Sequence, residues 1–150
     1  MIGALTEQAN PTPALQPVIE KQITPEEQAK IDADKKAEEE RIAKEKLIED
    51  QKENPEKYIE VTQNKREMDW FGTVAVHTVV LKNTSQFDYK DITLKATYYS
   101  SSETQLDSSN QTIYEILPAG ATKTFKNINF WFAHSQSKSS VVTVKSASIK

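Results

Sequence analysis

At 150 residues, with a formal net charge of −3 and no cysteine, the chain has room for one ordinary domain and a tail. The missing cysteine excludes disulfides, thiolate catalysis and cysteine-ligated zinc. Lysines alternate with glutamates instead of clustering, which leaves no nucleic-acid footprint, and no run approaches the ~20 apolar residues of a membrane-crossing helix.

The opening residues, MIGALTEQANPTP, lack the basic region and the apolar run of a secretory signal. If the protein is exported, the sequence is expected to be a mature form carrying a replacement Met1. Residues 1–23 hold Pro11, Pro13 and Pro17 with no apolar periodicity. Proline fixes φ and disfavours helix in the residue before it, so these residues read as an extended arm.

A helix is expected over 24–54. Thr24 is a good N-cap, Pro25 suits the first helical position, and Glu27 completes a capping box with Thr24. Asn54-Pro55 is the stop signal. Such a helix is roughly 40 Å long at 1.5 Å per residue. It is rich in Lys and Glu, and its apolar side is sparse: alanines with Ile31, Ile42 and Leu47. Two readings stay open, a solvated spacer and a helix that docks Ile31, Ile42 and Leu47 on a partner. No heptad pattern lasts long enough for a self-sufficient coiled coil.

From Tyr58 the period becomes two. All five Tyr, all five Phe and both Trp lie from there on, so the core is expected within 56–150. A short strand starts at 58–61, and a long one runs over 73–81. In 91–99, Ile92, Leu94 and Tyr98 share a face that is expected to turn inward with Val79 and Leu81. The intervening NTSQ carries the polar side chains of a strand exit, and Asn83 tolerates left-handed φ. Residues 100–110, SSSETQLDSSN, read as a polar loop. Strands follow at 112–117, 122–132 and 141–145, with Pro118-Ala119-Gly120-Ala121 as a turn. Short strands at regular spacing predict an antiparallel β-sandwich, and one able to fold without the helix.

The runs Leu81-Lys82-Asn83-Thr84-Ser85, Tyr89-Lys90-Asp91-Ile92 and Tyr98-Tyr99, followed by Leu117-Pro118-Ala119-Gly120 and Phe125, resemble the FxLYD-type domains of bacterial envelope proteins over about 56–148. Ser100 departs from that pattern, where an acid often follows the aromatic pair, and so does Ala119, which intrudes before the turn glycine. The resemblance implies an immunoglobulin-like sandwich, exported or membrane-tethered, without known catalysis.

Residues able to do chemistry are few. His77 lies mid-strand and reads as a satisfied or exposed strand histidine. His134 stands beside several serines, but no nucleophile elbow or orienting acid accompanies it. Three glycines, at 3, 72 and 120, cannot build a phosphate loop, and the acidic residues match no EF-hand. No catalytic residue, metal or cofactor is expected. The conspicuous residues are aromatic. Alternation makes Phe130 and Phe132 share one face and sends Trp131 to the other, while Trp70 and Phe71 follow Asp69 in a turn-like stretch. Exposed Trp is a frequent binding hot spot. The expected protein is therefore a non-enzymatic interaction or assembly subunit of a bacterial envelope complex, periplasmic or extracellular. It would bind a protein partner, membrane protein complexes included, through the arm, the helix and Trp131, Trp70 and Phe71, with a sugar- or peptide-binding module as the alternative.

Overall fold

The computed structural model describes residues 3–4, 23–72, 74–131, 133 and 135–150. Most of the Pro-containing arm, Phe132 and His134 lie outside the described residues. The chain divides into two compact units, 1–39 and 40–150. The α-helix α1 spans Pro25–Glu53, with Glu26 and Glu27 in its first turn.

In the first unit the capping box forms as the sequence predicts. The Glu27 N–H donates to Thr24 Oγ1 at 3.3 Å, and the Thr24 N–H donates to Glu27 Oε2 at 3.1 Å.

The second unit is mainly β, with six strands among the described residues: β1 (Ile59–Met68), β2 (Val74–Asn83), β3 (Tyr89–Tyr99), β4 (Gln105–Ile113), β5 (Thr122–Trp131) and β6 (Ser139–Ile149). All pairings are antiparallel, and the strands form two sheets, β1-β2-β5 and β4-β3-β6. Val79, Leu81, Phe125, Ile128 and Phe130 of the first sheet and Ile92, Leu94, Ala96 and Tyr98 of the second bury into one core. The sheets therefore stack face to face in a sandwich-like arrangement.

Four local readings need correction. Most of the expected loop after β3 is strand β4, and the stretch expected as a strand at 112–117 is largely irregular, with Leu117 in a single bridge to Tyr89. Residues Gln105–Ile113 are polar because β4 is an edge strand with little to bury, and pairing to β3 overrides their low strand propensity. β1 extends to Met68 for the same reason. The fourth correction concerns positive φ, which falls at Asp91, Glu103 and Asn127 among the non-glycine residues described, and not at Asn83.

Asn83 instead works through its side chain, which is fully buried. Its Nδ2 donates to the carbonyls of Phe87 (2.7 Å), Pro118 (3.1 Å) and Leu117 (3.3 Å). Its Oδ1 accepts from the Ser85 N–H at 2.9 Å and the Ser85 hydroxyl at 2.8 Å. One amide thus ties the β2–β3 connection to the turn before β5, and the polar break turns a corner. Asn83→Ala leaves these buried groups without partners and should cost about 1–3 kcal/mol in urea unfolding. A loss below ~0.5 kcal/mol would show that the amide is dispensable.

The end of α1 is built into the sandwich unit. Gln51 is buried, its carbonyl accepts from Tyr89 Oη at 2.8 Å, and Lys52 Nζ lies 5.6 Å from the Phe87 ring centroid. Asp50 accepts from Tyr58 Oη (2.6 Å), Asn54 Nδ2 (2.6 Å) and Lys57 Nζ (2.9 Å). The Tyr58 hydroxyl, then Lys57, hold the Asp50 carboxyl below its usual range. A chain cut at Asn54 therefore loses the acceptor of a fully buried tyrosine.

Candidate functional site

The β1–β2 hairpin ends in a tight turn after Asp69. The Asp69 N–H donates to the Val74 carbonyl at 2.9 Å, and the Val74 N–H donates to Asp69 Oδ1 at 3.0 Å. Gly72, at φ 67°, takes the left-handed conformation and donates to the Asp69 carbonyl at 3.0 Å. Trp70 and Phe71 occupy the tip with 95% and 82% of their surface exposed, values that leave neither ring able to line an enclosed cavity.

Strand β5 brings the third aromatic to the same place. Its pairing with β2 sets Trp131 opposite Val74, at the base of that hairpin, while Phe130 points into the core. Trp131 is 58% exposed. Register thus gathers Trp70, Phe71 and Trp131, distant in sequence, at one end of the β1-β2-β5 sheet. Ile31, Ile42 and Leu47 are also exposed on α1. Of these, Leu47 lines a shallow groove with Ile48, Gln51 and residues 84–86.

A bulge in β5 adds polar neighbours. Lys126 and Asn127 fall opposite the single residue Thr78, and Asn127 has φ 58°. Beyond the bulge Asn127, Asn129 and Trp131 alternate on the exposed side. With Gln111 and the exposed Tyr114 they wall a groove of ≈ 410 Å³ between β4 and β5. The Asn-x-Asn-x-Trp spacing was open to sequence reading, but its partners on β4 depended on a strand hidden in a polar stretch.

His77 is satisfied and not exposed. It is fully buried, and its imidazole Nδ1 lies 2.6 Å from Asn64 Oδ1. Asn64 Nδ2 is turned to the Ser140 carbonyl at 3.3 Å, so its Oδ1 must accept and His77 carries its proton on Nδ1. Nε2 then accepts from Tyr98 Oη at 3.3 Å. Burial, and secondarily Arg66, push the imidazole down to about 4, and burial pushes the Tyr98 phenol up to about 12. Arg66 itself donates to Ser137 Oγ at 2.8 Å. The chain Tyr98–His77–Asn64–Ser140 runs from β3 through β2 and β1 to β6, stitching one side of the sandwich. Its His77 and Tyr98 members are fully buried, while Asn64 and Ser140 are half-buried.

Among the described residues no cluster of three His, Asp or Glu side chains is placed to hold a metal, and no helix is long and apolar enough to cross a membrane. Comparison with protein-family models, curated proteins and solved structures gives no match.

Proposed function

We propose that this protein is a non-enzymatic interaction subunit that grips a protein partner with the aromatic end of its sandwich. The carrying observation is the convergence of Trp70, Phe71 and Trp131, all exposed, on a hairpin held by Asp69 and Gly72. Burying such rings in a partner's pocket yields about 1.5–3 kcal/mol each at most, and a fixed turn lowers the entropy lost on docking. Rings on a projecting tip suit a protein partner's pocket better than a sugar or small ligand, which needs concave walls. An immunoglobulin-like sandwich of the FxLYD type fits the strand orders β1-β2-β5 and β4-β3-β6. That reading in turn favours a partner in the bacterial envelope, membrane protein complexes included.

The test is quantitative capture from native envelope extract, with crosslinking and mass spectrometry. The triple variant Trp70→Ala, Phe71→Ala, Trp131→Ala should keep its Tm within a few degrees. Each ring should contribute at least ~1–2 kcal/mol to association, the range of a hot spot. Equal capture by the wild type and the triple variant would overturn the proposal.

A further inference from the structure

The four edge strands of the two sheets are protected unequally. β1 carries Glu60, Lys65, Arg66 and Glu67 and a register break between Val61 and Gln63. β6 lies against β1, where Asn64 and Arg66 donate to the carbonyls of Ser140 and Ser137. β5 carries Lys123 and Lys126 and the bulge at Asn127. Charges, bulges and covering side chains are the usual means of keeping an edge from pairing with another chain.

β4 has fewer of them, namely a register shift at its start, opposite Tyr98 and Tyr99, and Asp107, whose Oδ1 accepts from the Ser108 N–H at 2.7 Å. Its sequence, QLDSSNQTI, contains one charge, Asp107, and no proline. Its ladder with β3 runs unbroken through seven successive pairs, from Ile92↔Ile113 to Tyr98↔Asp107. The opposite edge of β4 pairs with no strand among the described residues. It therefore offers a regular row of backbone donors and acceptors to an added strand.

We propose that this edge pairs with the same edge of a second copy of the chain, antiparallel about Ser109, joining two three-stranded sheets into one of six. The sequence is self-complementary in that register. Asp107 falls opposite Gln111 of the second copy and Ser108 opposite Asn110, so the single charge never meets itself and hydroxyls face amides. A two-fold pairing of this kind closes after two chains and does not propagate.

Sedimentation velocity of the full chain over a range of concentrations, with amide exchange read across 105–113, tests the proposal. The wild type should pass from monomer to dimer, with the β4 amides that point away from β3 protected only in the dimer. The double variant Ser108→Lys, Asn110→Lys, at exposed positions, sets like charges opposite one another in that register and should raise the dimer dissociation constant at least tenfold. Lys126→Ala, on the β5 edge, should leave it unchanged. A monomer at every concentration overturns the inference. So does a dimer indifferent to the double variant, or outward-facing β4 amides protected in the monomer, which would mean that another segment of the same chain covers the edge. None of these outcomes depends on the aromatic end.

Discussion

Leu94→Ala should lower the unfolding free energy by about 2–5 kcal/mol, the range for truncating a buried leucine. Leu94 is fully buried in the middle of β3, paired to Gln111 on one side and Val144 on the other. Its side chain enters a core whose opposite wall is Val79, Leu81 and Phe125 of the other sheet. Strands paired on both sides of β3 hold its backbone in place, so little collapse can refill the space. The urea midpoint should fall with an unchanged m-value, because the cavity alters stability and not the surface exposed on unfolding. A loss below ~0.5 kcal/mol would mean that Leu94 does not face the other sheet and that the inward face of β3 is misassigned.

That face was legible in the sequence because a strand buried on one side must alternate. Ile92, Leu94 and Tyr98 turn inward with Val79 and Leu81, as period two requires. The same alternation carries His77 inward with Val79 and Leu81, and a stricter reading would have buried it. Edge strands were harder. β1 and β4 bury little, and their polar side chains imitate loop composition. What makes them strands is a partner distant in sequence, which no local pattern encodes. Asn83 looked like a turn former, while its role depends on the carbonyls of Leu117 and Pro118, more than thirty positions away. The exposure of Trp131 followed from alternation, but its proximity to Trp70 and Phe71 needed the β2–β5 register.

Between pH 7 and pH 4 the protein should lose on the order of 2–3 kcal/mol of stability through His77 alone. The buried imidazole is held neutral, its pKa pushed down to about 4 by burial and then by Arg66, against an ordinary value of 6.5. Above pH 6.5 the folded and unfolded chains are both neutral at this site, and the full contribution is present. As pH falls below 6.5 the unfolded imidazole takes up a proton that the folded one refuses. Stability then drops by about 1.4 kcal/mol per pH unit until the folded group also titrates near 4. The groups facing His77 give a proton no welcome. Nδ1 already donates to Asn64, Nε2 faces the Tyr98 hydroxyl, the Phe130 ring packs edge-on at 4.9 Å, and the nearest charge is the cation of Arg66. Carboxylates held low, such as Asp50, lose their contribution only in a more acid window. Urea melts at half-unit steps from pH 7.5 to 4.5 should therefore slope more steeply for the wild type than for His77→Gln, which cannot titrate. Parallel curves would show that the imidazole accepts a proton in the folded protein and that the Tyr98–His77–Asn64 chain is open to water.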